Sequence, residues 1–210
     1  MNNQINVLIV DDSELIRSLL AQIFASDSSI NVVGMATDAF DAREKIKTLN
    51  PDIITLDVEM PGMDGITFLK NLMRLRPMPV VMISTLTEKG TDTTLQAMEF
   101  GAIDFIAKPK INVDTELPIL AKQMCATVKN AARANISALN HNSQQRQFSK
   151  PISPPSTSKR DKDISIIGIG ASTGGTEATK EVLSGLPASM PPIVIVQHMP
   201  EGFTASYAKR

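Results

Sequence analysis

Tryptophan is missing from this chain, and aromatic residues of all kinds make up only 4% of its 210 residues. So few rings leave no platform on which the bases of a single nucleic-acid strand could stack. Charge is nearly balanced: 21 lysines and arginines against 22 acids leave a net charge of -1. That supplies no basic field for a phosphate backbone, and Lys159-Arg160 is too short to serve as one, so nucleic acid is not an expected partner. Cys125 is the single cysteine, which excludes an intramolecular disulfide and is compatible with a cytoplasmic, reducing location. No apolar run approaches the roughly 20 residues of a membrane span, and no secretory signal opens the chain, so membrane insertion is not expected. What remains, 42% hydrophobic and 20% charged, is the composition of a soluble globular protein of one or two domains.

Short apolar runs alternate with amphipathic stretches through the first part. Ile5 to Val10 predicts a strand ending in Asp11-Asp12, and Ser13 can cap a helix carrying Leu15, Ile16, Leu19, Leu20, Ile23 and Phe24. Ile30 to Ala36 predicts the second strand, with Thr37 or Asp38 capping a helix through Leu49. Ile53 to Leu56, ending in Asp57, is the third, followed by a helix over about 64–75. Pro79 to Ile83 runs into Ser84-Thr85, and the helix after it is closed by Gly101. Ala102 to Ala107 runs into Lys108-Pro109, before a last helix over about 113–133. Five β/α units in series predict a parallel sheet with helices on both faces.

The texture then changes. From about Ala134 to Lys162 the chain is rich in Asn, Gln, Ser and Pro, including Pro154-Pro155, and cannot build a core; this is a linker, and His141 within it is solvated. After it, Ile164 to Gly170 predicts a strand entering Ala171-Ser172-Thr173-Gly174-Gly175 and a helix. Ile193 to Gln197 predicts another, with His198 at its end and a helix from about Glu201. A second α/β domain opens here, and a stretch this short buries too little surface to stand comfortably alone. The expected division is therefore residues 5–125, a linker over 126–162, and a second domain begun over 163–210.

Parallel strands bring their C-terminal tips together, so Asp11, Asp12, Asp57, Ser84 and Lys108 should converge. Carboxylates so close repel unless a hard cation joins them, and Mg²⁺ suits the oxygen ligands and the charge. Lys108 and the Ser84 hydroxyl would then serve as donors to a phosphoryl group on Asp57. Solvated acids on unrelated strand ends are the plain alternative, and they leave the hydroxyl and Lys-Pro positions unexplained. The set Val10-Asp11-Asp12-Ser13, Leu56-Asp57 with Met60-Pro61-Gly62-Met63-Asp64-Gly65, Ile83-Ser84-Thr85 and Lys108-Pro109 resembles the receiver domain of two-component response regulators. The resemblance implies a flavodoxin-like, five-stranded, doubly wound domain with Asp57 as phosphoacceptor. It also implies Mg²⁺ held by Asp12, Asp57 and the Glu59 carbonyl, with Asp11 acting through water, and a switch aromatic at Phe105.

The second constellation is Ser172 on its glycine turn. Strand, Gly-x-Gly and helix also open a dinucleotide site, but no acid follows at the next strand tip to grip a ribose. Gln197-His198 stands there instead, and a serine and a histidine on adjacent tips can meet as nucleophile and general base; a surface-loop histidine is the bland alternative. Joined to a receiver, Gly170 to Gly175 and Gln197-His198-Met199-Pro200 are similar to the opening of the Rossmann-like catalytic domain in the chemotaxis protein-glutamate methylesterase (CheB) family. The resemblance implies a serine hydrolase that demethylates, and also deamidates, chemoreceptors. Ser172 would attack, His198 would take the proton, and N–H groups near Thr173, Gly174 and Gly175 would hold the oxyanion. It further implies a chemotaxis histidine kinase as phosphodonor, methylated chemoreceptors as substrate, no cofactor for the esterase step, and a receiver that covers the catalytic face until phosphorylated.

The family completes its triad with an aspartate late in the catalytic domain, a position absent here. The expectation is a fragment or a truncated gene product: a working switch without useful esterase activity. Two other outputs stay open, a DNA-binding response regulator and a stand-alone receiver acting as a phosphate sink or partner-binding module. The neutral charge and the glycine turn argue against the first.

Overall fold

The computed structural model describes residues 4–85, 88–108, 117–136, 166–187, 189–199 and 202–209. Five parallel strands, β1 (Ile5–Val10), β2 (Ile30–Ala36), β3 (Ile53–Asp57), β4 (Val80–Ser84) and β5 (Asp104–Ala107), lie in the order β2-β1-β3-β4-β5. Helices α1 (Glu14–Ala25), α2 (Ala39–Leu49), α3 (Gly65–Leu75), α4 (Glu88–Glu99) and α5 (Leu117–Ala132) connect or follow them. This is the expected doubly wound, flavodoxin-like sheet.

Side-chain alternation along the strands divides the core in two. Val7, Ile9, Val81 and Ile83 face Leu20, Phe24 and Val128 of α1 and α5, while Leu8, Val10, Leu56 and Met82 face α2, α3 and α4. Both faces are therefore buried, which is why these strands read as continuous apolar runs. The helix starts follow their caps: Ser13 Oγ accepts from Ile16 N–H, Asp64 accepts from Thr67 N–H, and Asp38, rather than Thr37, caps α2. Asp38 Oδ1 alone accepts from both the Phe40 and Asp41 amides, at 2.8 and 2.9 Å.

Past residue 125, Val128 and Ala131 of α5 and Ile136 beyond it are buried in the same core. Packing thus carries the first unit beyond the expected boundary. Residues 137–165, which hold most of the expected linker and His141, lie outside the described residues, as does Pro109.

Strands β6 (Ile167–Ala171) and β7 (Ile193–Gln197) form a separate parallel pair, with α6 (Gly175–Gly185) between them and α7 (Phe203–Lys209) after them. Val182, Val194 and Val196 are half-exposed or more, unlike their counterparts in the first sheet.

Candidate functional site

Asp57 closes β3 with its side chain 1% exposed. Lys108, at the tip of β5, reaches across β4 to it: Nζ lies 2.7 Å from Asp57 Oδ2 and 3.0 Å from Asp11 Oδ2. The first contact is a hydrogen bond; the second is an ion pair by distance only, so Asp11 Oδ2 is a buried acceptor without a hydrogen-bonding partner. Burial pushes the Asp57 carboxyl up to about 6; the Lys108 hydrogen bond opposes that rise and the Asp11 charge adds to it. Lys108 responds in kind. Burial pulls its pKa down, but Asp57 and then Asp11 outweigh that and hold it above the ordinary lysine range.

Local structure shapes this pocket from two sides. Arg17, one turn into α1, donates through Nη1 to the carbonyls of Asp11 at 2.8 Å and Asp12 at 2.9 Å, pinning the acidic loop. Beyond β3 the chain doubles back so closely that a Cβ on Gly65 would stand 1.9 Å from the Asp57 carbonyl oxygen, so only glycine fits. Glu59 N–H donates to Asp57 Oδ1 at 3.3 Å while its own side chain is exposed. Ser84 is buried at the tip of β4, its carbonyl accepting from Lys108 N–H at 2.7 Å.

Asp11, Asp12 and Asp57 each bring a carboxylate oxygen within 4.8 Å of the others. With one buried acceptor lacking a hydrogen bond and one carboxyl pushed up by burial, the donor set fits a small oxygen-seeking cation such as Mg²⁺.

The second site lies on the β6–β7 pair. Ser172 Oγ stands 3.4 Å from His198 Nδ1, so the two predicted partners do meet. Parallel pairing of Ala171 with Gln197 puts both turns at the same edge, and His198 N–H donates to the Ala171 carbonyl at 2.9 Å. Gly174 takes φ 73, starting α6 abruptly, and Gly175 N–H donates to the Ser172 carbonyl at 2.7 Å. That amide is engaged within the turn itself, a detail no sequence pattern carries.

One strand touches both sites. Lys108 at the tip of β5 bonds to Asp57; Phe105 in its middle stacks on Phe203 of α7, ring centroids 4.4 Å apart and 22° between planes. Asp104, which opens the strand, lies close to the Thr173 side chain beside Ser172 and to the His198 ring, both of which favour its ionised form. Burial, the largest influence, leaves the Asp104 carboxyl above its ordinary range despite those contacts. Lys180 and Glu99 add an exposed ion pair at 3.4 Å. A groove of about 290 Å³ runs between α4 and α6, lined by Leu95, Met98, Lys180, Leu183 and Tyr207, and coincides with neither site.

Residues 7–116 match the family model of the response regulator receiver domain, and residues 167–210 match that of the CheB methylesterase. The chain belongs to the CheB family of response regulators. Over its full length it is 51% identical to protein-glutamate methylesterase/protein-glutamine glutaminase 1 of Xanthomonas euvesicatoria pv. vesicatoria, covering 60% of that protein. Identity to the second such protein of Pseudomonas aeruginosa is 52% over 98% of this chain and 57% of that one. The crystal structure of the response regulator domain of Thermotoga maritima CheB superposes with a TM-score of 0.56 at 39% identity, covering 63% of this chain and 98% of that one. This CheB-family chain thus spans about 60% of the length of the curated relatives it matches.

Three contributors escaped the sequence reading. Asp104, an acid opening an apolar strand, was an oddity whose role no pattern supplied. Arg17 looked like an ordinary helix residue, and Phe203 carried no signal of what it would touch.

Proposed function

We propose that the protein is a chemotaxis methylesterase whose hydrolytic site is controlled by phosphorylation of Asp57. The observation that carries this reading is β5, which joins Lys108 at the acidic pocket to Phe105 and Asp104 at the Ser172–His198 turn. In the receiver, Asp57 Oδ accepts the phosphoryl group from a chemotaxis histidine kinase. Asp11, Asp12, Asp57 and the Glu59 carbonyl would hold Mg²⁺, which when bound supplies the charge that neutralises the phosphoryl oxygens. Once Asp57 is phosphorylated, Lys108 exchanges its carboxylate partner for a phosphoryl oxygen, and Ser84 donates a hydroxyl. Those shifts pull on the C-terminal tips of β4 and β5, and Phe105 transmits them to Phe203.

In the hydrolytic step, Ser172 Oγ attacks the ester carbonyl of a methylated receptor glutamate while its proton passes to His198 Nδ1, the ring nitrogen facing it. His198 returns that proton to the departing methoxide, releasing methanol and leaving an acyl-serine that water hydrolyses. With Gly175 N–H occupied by Ser172, the oxyanion falls to the N–H groups of Thr173 and Gly174. Receptor glutamine amides would follow the same course, releasing ammonia. The protein works in the cytoplasm, divided into a receiver, a linker beginning after the packed end of α5, and the opening of a catalytic domain.

The 210 residues alone are expected to lack useful esterase turnover, since among the described residues the His198 ring is bonded to Ser172 and to no carboxylate; in isolation they are expected to act as a phosphate-accepting receiver. Incubation with acetyl phosphate and Mg²⁺ should yield the acyl-phosphate mass, absent in Asp57→Asn. Failure of the wild-type chain to gain it refutes the control half. Robust methanol release from methylated receptors by this chain refutes the claim of incomplete catalysis.

A further inference from the structure

Gln197 ends β7 just before the candidate base, and its side chain turns back beneath the nucleophile turn. The amide nitrogen donates to the Ser172 carbonyl at 2.9 Å and to the His198 carbonyl at 3.2 Å. A primary amide has two N–H donors, so one nitrogen serves both. The ladder bond from His198 N–H to Ala171 fixes strand spacing but stops short of the turn that carries Ser172. Among the described residues, Gln197 is the one side chain bonded to the backbones of both reacting residues.

The space it fills is reserved for it. A Cβ on Gly175 would stand 2.4 Å from Gln197 Oε1, so the absence of a side chain at the start of α6 makes room for the amide. Oε1 itself is buried without a hydrogen-bonding partner. An apolar side chain of the same length would occupy this space without that unmet acceptor, so the two N–H donors are what distinguish glutamine here.

We propose that Gln197 is a positioning residue of the hydrolytic pair: its side-chain amide, bonded to the carbonyls of Ser172 and His198, sets the separation of nucleophile and base. It rests on the reading of Ser172 and His198 as that pair. Their present 3.4 Å separation is longer than a closed hydrogen bond, so a small displacement decides whether the proton can pass.

The test uses the whole chain, in which His141 and His198 are the only histidines and their ring signals can be separated by NMR. In the wild-type background, Ser172→Ala should shift the His198 ring signals; in a Gln197→Met background the shift should shrink about fivefold or more, as expected when a reacting pair drifts apart. The β6–β7 amide signals should stay in place, which a merely structural role would not allow. A His198 ring indifferent to Ser172→Ala in the wild-type background overturns the proposal, as does an equal shift in both backgrounds. If Gln197→Met loses the β6–β7 signals, Gln197→Glu is compared with wild type at each pH. Recovery of the His198 response as the new carboxyl protonates and regains a donor supports the proposal, and no recovery overturns it. Labelling of Ser172 by a fluorophosphonate is the separate arm. Unlabelled wild type refutes the nucleophile reading while the ring response still decides positioning. Labelling that falls about tenfold to a hundredfold in Gln197→Met supports both, and an unchanged rate overturns positioning.

Discussion

Replacing Phe203 by alanine should release the second unit from the receiver without unfolding the receiver itself. Phe203 is fully buried although it lies beyond the linker, and it packs in the same cluster as Leu95, Ala97, Met98, Ala102 and Phe105. Deleting a buried phenylalanine side chain costs about 3–5 kcal/mol, with the stack on Phe105 accounting for about 0.5–1.5 of it. The other cross-contacts are weaker. Lys180–Glu99 is half-exposed on both sides and contributes about 0–1 kcal/mol. A loss of about 3 kcal/mol shifts the docked-to-released ratio by about two orders of magnitude. Amide hydrogen exchange should read this as faster exchange in α7 and at Ala97, Met98 and Ala102, while β1 and β3 keep their protection. Phe203→Leu should show the same pattern at reduced amplitude. If β1 and β3 lose protection together with α7 in one cooperative step, Phe203 is part of the receiver's own core and the reasoning fails. Unchanged exchange throughout would show equally that the stack holds nothing.

Three further expectations follow from named groups. Asp57 has its pKa raised in the fold from 3.8 to about 6, so its charge opposes folding: the penalty is absent below about pH 3.8 and complete above about 6. Asp57→Asn should therefore gain up to about 3 kcal/mol over wild type by urea denaturation at pH 7, less the lost Lys108 bond, and nothing at pH 3.5; Mg²⁺ should narrow the gap by stabilising wild type alone. The Asp27 carboxyl is lowered to about 2, chiefly by the hydrogen bond from Lys129, so that pair stabilises above about pH 3.8 and fades as pH falls through 2. Because both groups are partly exposed, Lys129→Met should cost only about 0.5–1 kcal/mol at pH 7 in a thermal melt, with no difference near pH 2. Gly65→Ala puts a Cβ against the Asp57 carbonyl, a rigid backbone atom, and should cost about 2–3 kcal/mol while slowing acetyl-phosphate labelling of Asp57.

Much of the receiver was legible because its strands are buried on both faces and read as unbroken apolar runs between helix caps. Aspartates, a serine and a lysine at the ends of such runs must converge once the sheet is parallel, and the observed Lys108–Asp57 and Lys108–Asp11 contacts follow from connectivity alone. The meeting of Ser172 with His198 was legible for the same reason. Strand ends were less so: β5 starts at Asp104 rather than Ala102, its register beginning with Asp104 opposite Val81, while Ile103 N–H already donates to the Val80 carbonyl.

What the amino-acid order determined, then, was each element and the chemistry at its tip, since both depend on local periodicity and on which residue closes a run. What only the tertiary structure decided was how the two sites are joined. Phe203 on Phe105, Asp104 beside Thr173 and the Gln197 amide between two carbonyls arise between segments far apart in the chain or from a side chain folding back on its own turn. No spacing rule reaches such pairs. They exist because side chains of the right shape and polarity are brought within contact distance by packing, which is a property of the assembled core and not of any stretch within it.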